Sequence, residues 1–252
     1  MLKIRIIPTL LLRNNRLVKG VNFDNYRDTG DPIYAARVYN SQYVDELVFL
    51  DIDATNESRE TNVSIIEKVS EECFMPLAIG GGIKTTKDIR KLLNAGADKV
   101  VINTAAIENP QLIKDGAKEF GSQCIVVGID VKVENNKYVI YKNSGKAKTS
   151  IELIDYIKDV ENLGAGELFI NSIDKDGTMT GYDLDLIKLV MKNTTLPVIA
   201  CGGAGNFMHL VDAYNDTKVE ALAMASIYHF GDNNPIRARS YLKNNNIPIK
   251  KV

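Results

Sequence analysis

A chain of 252 residues, 45% hydrophobic and 25% charged, is long enough to bury one large core, and single α/β barrels commonly reach this size. A formal charge of −1 speaks against a nucleic-acid or membrane-surface partner. Cys73, Cys124 and Cys201 lie far apart in apolar runs without metal-ligand spacing and read as buried thiols of a reducing cytoplasm, so neither a metal nor a cofactor is implied.

Met1-Leu2-Lys3-Ile4-Arg5 leads straight into a charged sequence, with no signal peptide or membrane span, and a cytoplasmic location is expected. Near-continuously apolar strands are predicted at 6–11, 45–53, 76–83, 99–104, 125–130, 166–174, 197–205 and 221–226. Between them, apolar residues three or four apart predict helices over 31–39, 63–72, 87–95, 112–119, 151–162, 185–192, 207–214 and 236–243. Thr149-Ser150-Ile151-Glu152 has the spacing of a capping box at the start of the fifth helix. Two segments depart from this alternation. Residues 13–32 are long, polar and glycine-containing, a candidate lid, whereas 132–141 alternate and turn at Asn135-Asn136, as a hairpin does.

The stretch from Pro76 to Ile83 returns almost unchanged at Pro197, 121 positions later. Glu46 and Glu167 keep the same offset, and Leu11 and Asp130 one of 119. Each half carries four strands in the same order. Eight helix-covered parallel strands with a half-chain repeat predict an α/β fold, a (β/α)8 TIM barrel of one domain built from half-barrels at about 1–122 and 123–252.

Barrel chemistry sits at the C-terminal strand ends. There Gly81, Gly82, Asn103 and Thr104 form one cluster of small, hydrogen-bonding groups. Asp176, Gly177, Gly202, Gly203, Ala225 and Ser226 form its partner in the other half. Backbone N–H groups at helix starts favour anions, so two such clusters imply a ligand with a phosphate at each end. At the opposite end Arg5, Glu46, Lys99 and Glu167 each begin an apolar strand. Charges removed from water need partners, which predicts a closed salt-bridge ring.

From Met1 to about Phe230 the sequence closely resembles the cyclase subunit of imidazole glycerol phosphate synthase. The resemblance is carried by KGVNF (19–23), GDP, DELVFLDI (45–52), GGGI, ADKVVINTAA (97–106), ENP, FGSQCIVVGID (120–130), SGK, GAGEL, SIDKDGT (172–178), GYD, GGAG and HFG. It implies a barrel that takes ammonia from a separate glutaminase subunit in a heterodimer. The ammonia cleaves a bis-phosphorylated ribulosyl nucleotide and closes an imidazole ring. Of the family's two catalytic aspartates it implies Asp130 as the second, but Leu11 stands at the first position, and Ala78 and Asn171 stand where threonine is usual. Lys19 in the lid, Asp51, Asn103, Ser144, Asp176 and Ser226 match pocket positions, and the four floor charges match the ammonia gate. Asp98 beside them matches the partner-facing position. Loss of one acid–base group predicts a crippled cyclase. The leading expectation is therefore a paralogue that activates a glutaminase and conducts ammonia for surface-sugar amidation, in company with a sugar amidotransferase. The alternatives are an active cyclase of histidine biosynthesis with a shifted acid–base pair, and a free-standing sugar-phosphate isomerase.

Overall fold

The computed structural model describes residues 3–250; Met1 and Leu2, the start of the N-terminal lead, and the last two residues lie outside it. In chain order the elements are β1 (Arg5–Arg13), β2 (Arg16–Val21), β3 (Asp24–Gly30), α1 (Pro32–Ser41), β4 (Leu47–Asp51), α2 (Val63–Ser70), β5 (Leu77–Gly80), α3 (Thr86–Asn94), β6 (Lys99–Ile102), α4 (Thr104–Glu108) and α5 (Gln111–Phe120). They continue with β7 (Ile125–Glu134), β8 (Lys137–Lys142), β9 (Ala147–Glu152), α6 (Leu153–Asn162), β10 (Glu167–Ser172), α7 (Leu184–Lys192), β11 (Val198–Cys201), α8 (Phe207–Thr217), β12 (Ala221–Met224), α9 (Ser226–His229) and α10 (Pro235–Asn244). Strands β1, β4, β5, β6, β7, β10, β11 and β12 pair in parallel in that order, and β12 returns to β1, closing the predicted (β/α)8 barrel.

Each barrel strand is apolar on both faces because both are buried. Along β1, Ile6, Leu10 and Leu12 pack outward into the helix layer, while Ile7 joins Val48, Ala78, Val101, Val126, Phe169 and Ile199 inside the barrel. Helix starts carry local signals. The Asp31 carboxylate accepts the Tyr34 N–H at 2.8 Å, with Pro32 at the first helical position. Thr85 and Asp88 form a reciprocal capping box on α3. The predicted box at Thr149 does not form: residues 147–152 are β9, paired with β8, and α6 begins at Leu153. Sheet pairing outweighs a local capping signal there, since Thr and Ile also suit strands.

The segment 13–32, the candidate lid, forms a β2–β3 arm folded back on β1. Its turn, Asn14-Asn15 (φ 48° and 62°), is that of Asn135-Asn136 (φ 48° and 60°) between β7 and β8. Both residues lie in the left-handed region that asparagine tolerates and a two-residue hairpin requires. The cysteines also differ from expectation. All three are half-buried, and Cys201 at the end of β11 faces the cavity inside the barrel mouth.

The two arms reach across the mouth to opposite halves. Asn22 Nδ2 donates to the carbonyls of Ile173 and Asp174, each at 2.9 Å, and Ser144 Oγ donates to the Ile52 carbonyl at 2.8 Å. Ile52 and Ile173 are again 121 positions apart.

Candidate active site and barrel floor

A cavity of about 450 Å³ opens at the C-terminal strand ends beneath the two arms. Lys19, Asp51, Gly82, Asn103, Thr104, Asp130, Ser144, Asp176, Gly177, Gly203 and Ser226 all line it, as do Leu11 and Asn171. Ala78 does not. It lies lower, 1% exposed, in the apolar layer between cavity and floor.

Sheet register places Leu11 opposite Asp130 in the repeat. Leu11 pairs with Leu50 and Asp130 with Asn171, and Leu50 and Asn171 are 121 positions apart. One face of the cavity thus carries an isobutyl group where the other carries a carboxylate. Asn103 Nδ2 donates to Asp130 Oδ2 at 3.0 Å. Burial, and then the nearby Asp176 carboxylate, raise the Asp130 carboxyl to about 7, against the lowering effect of amide hydrogen bonds from Asn103 and Asn171. An acid at this value holds its proton half the time near neutrality and can both give and take one.

Lys19 and Asp176 form a buried pair, 2% and 7% exposed. Lys19 Nζ donates to Asp176 Oδ2 at 2.8 Å, to Oδ1 at 3.0 Å and to the Gly20 carbonyl at 3.0 Å. Burial raises the Asp176 carboxyl, opposed by the lysine charge. Lys19 comes from β2, so the arm delivers the cation. Its backbone presses on the site: a Cβ at Gly177, where φ is +75°, would stand 2.2 Å from the Gly20 carbonyl oxygen.

Around Gly82 the polar groups interlock. The Gly82 N–H donates to Thr55 Oγ1 at 3.3 Å, and Thr104 Oγ1 accepts the Asn143 N–H at 2.9 Å. Gly82 has φ +66°, and a Cβ there would meet the Arg59 carbonyl oxygen at 2.6 Å, so the turn itself requires glycine.

Sequence reasoning missed Thr9 and Arg59. Thr9 lies two residues before Leu11 on the inward face of β1, and strand alternation was the signal that could have found it. Its Oγ1 is buried without a hydrogen-bond partner among the described residues, as are Asn103 Oδ1, Asn171 Oδ1 and Ser226 Oγ. Buried polar atoms are normally satisfied, so these four suit a polar ligand. Arg59 grips Asp51 through two hydrogen bonds of 2.6 and 2.9 Å, and nothing in its loop signals that contact.

At the other end, the predicted ring is closed. Arg5 Nη1 meets Glu46 at 2.8 Å and Arg5 Nη2 meets Glu167 at 2.6 Å; Lys99 Nζ meets Glu46 at 3.0 Å and Glu167 at 2.7 Å. Burial pushes the Glu46 carboxyl up, and Lys99 and Arg5 oppose that shift. Asp98, beside the ring, accepts the Leu77 N–H at 2.8 Å.

A profile of the histidine biosynthesis protein family matches residues 5–234. Among curated proteins, the imidazole glycerol phosphate synthase subunit HisF of Hydrogenobaculum sp. is 49% identical over 251 residues, 99% of this chain and all of that protein. The subunits of the same name from Streptococcus mutans and Bacillus cereus are 46% and 47% identical with the same coverage.

Proposed function

The chain belongs to the histidine biosynthesis protein family, with imidazole glycerol phosphate synthase HisF subunits as relatives along its whole length, and from that premise we propose that it is a cyclase subunit of this type. In this reading a glutaminase subunit docks on the face around Asp98 and the floor ring as a heterodimer in the cytoplasm. Ammonia passes between Arg5, Glu46, Lys99 and Glu167 and rises through the apolar layer to the cavity. A bis-phosphorylated ribulosyl nucleotide lies there, one phosphate toward Gly82, Asn103, Thr104 and Ser144, the other toward Gly177, Gly203 and Ser226. Lys19 and Asp51 help to enclose it. Asp130 moves protons to and from the reacting carbon–nitrogen centre. The observation that carries the reading is the pairing of a closed charged ring at one end of the barrel with a carboxyl poised at about 7 at the other. Coverage by relatives that bear the synthase name moves the leading reading from surface-sugar amidation to the cyclase.

Leu11 favours a second reading. With one face of the cavity apolar, the barrel binds its ligand, activates the glutaminase and passes ammonia to another acceptor, for instance through a sugar amidotransferase. Formation of imidazole glycerol phosphate from the nucleotide and ammonium separates the two: product supports the cyclase, and glutaminase activation without product supports the sugar pathway.

A further inference from the structure

The reaction proposed above has a proton problem that Leu11 creates. Ammonia adding to a ketone forms a C–N bond and breaks the C–O bond, so that C=O and NH3 become C=NH and H2O. Two protons leave nitrogen and two arrive on oxygen, with none consumed overall. Asp130 serves one side of that exchange, and a second group must serve the other. Three more carboxyls line the cavity, of which Glu108 is exposed and held by Lys142 at 2.6 Å. Asp51 is held by Arg59 at 2.6 and 2.9 Å and by the Ala54 N–H at 3.1 Å, and a guanidinium gives up no proton, so this pair cannot pass one on.

The geometry points to the Lys19–Asp176 pair as the second proton-handling group in this chain, taking the part of the carboxylate that Leu11 displaces; the inference rests on the cyclase reading. Both residues line the cavity. Lys19 Nζ lies 2.8 and 3.0 Å from the two Asp176 oxygens, so a proton lost to the substrate oxygen from this pair is replaced by one returning from nitrogen, within a single hydrogen-bonded unit. Because Lys19 rides on the β2–β3 arm, the group is complete only when the arm covers the ligand.

A purely structural role explains the pair poorly. Burying two charges is expensive unless something is gained, and the arm is already fastened: Asn22 donates to the Ile173, Asp174 and Asp176 carbonyls at 2.9, 2.9 and 2.8 Å. The opposite arm makes the corresponding contact, Ser144 Oγ to the Ile52 carbonyl, without a buried ion pair, and Thr55 stands 121 positions before Asp176. The ion pairs of the opposite arm, Lys142 with Glu108 and Lys148 with Glu134, are exposed or half-exposed, so the buried pair has no counterpart there.

The test is Asp176→Asn made in the natural chain and in Leu11→Asp, assayed with saturating ammonium and the bis-phosphorylated ribulosyl nucleotide. Expected is a fall in kcat of about 100-fold or more in the natural chain, the range for removal of a general acid or base, but less than about tenfold in the Leu11→Asp background. Lys19→Gln should follow the same pattern. Equal losses in both backgrounds, or a loss confined to KM, would show a structural role and overturn the inference. So would a natural chain that is inactive while Leu11→Asp makes product, a result that leaves the cyclase pocket standing. If neither chain makes product or binds the nucleotide, the cyclase reading falls and this inference with it.

Discussion

Position 130 shows how one residue ties stability to chemistry. The Asp130 carboxyl is raised from 3.8 to about 7 by burial and by Asp176, so the folded chain holds this proton more tightly than the unfolded chain does. Its contribution to stability is full below about pH 4, is lost as the pH rises towards 7, and is level above, on the order of 4 kcal/mol in all at about 1.4 kcal/mol per unit. Asp130→Asn cannot ionise. It should melt higher than the natural chain at pH 8 and nearly the same at pH 4, while losing activity; an equal difference at both values would contradict the burial account. At this scale the eleven residues named from sequence and resemblance, four of them charged, all line one cavity, because strand ends and helix starts bring them to the barrel mouth. The sequence was not legible where the role depends on an unshared contact. The grip of Arg59 on Asp51 follows from a loop path, and the demotion of Ala78 to the apolar layer follows from its depth along β5.

Elements were legible wherever one periodicity dominated. The eight predicted helices lie within a few residues of their spans because apolar spacing fixes them, whereas the short α4 and α9 carry too few turns to show a period. The two arms were legible unequally. Asn135-Asn136 read as a hairpin because polar and apolar residues alternate on both sides of it, while Asn14-Asn15, the same turn, was obscured by a polar return strand whose β3 residues are mostly exposed or half-buried. Both turns need left-handed backbone, which strains a β-branched residue by roughly 1–2 kcal/mol. Asn136→Val should therefore lower stability in urea unfolding by about that amount, whereas Asn136→Gly should not. A stable Val variant would show that the turn adopts another form. Because Lys19 is carried by the first arm, Asn15→Val should also weaken nucleotide binding, read as a raised Kd, if arm closure completes the site.

The whole molecule places a charged ring and a poised carboxyl at opposite ends of one apolar axis. Its barrel was legible in the sequence because parallel strands buried on both faces read as continuous apolar runs between helical periods. The arms' reach across the mouth was not, since it depends on loop geometry that no periodicity encodes. Two tests belong here. Phosphate or sulfate at high concentration should occupy two positions, near Gly82–Thr104 and near Gly177–Gly203–Ser226, and occupancy of neither would remove the paired-phosphate reading. Lys99→Met leaves Glu46, 1% exposed, paired with Arg5 at 2.8 Å, and should destabilise the chain by about 3 kcal/mol or less. With a glutaminase subunit bound, it should uncouple glutamine hydrolysis from product formation while sparing the ammonium-driven reaction; equal effects on both reactions would argue against the ring as an ammonia gate. The most direct measurement of the central claim is the steady-state rate of imidazole glycerol phosphate formation at saturating ammonium, for the natural chain against Asp130→Asn. The account predicts a rate at least about 100-fold above that variant, and a natural chain no faster than Asp130→Asn would contradict it.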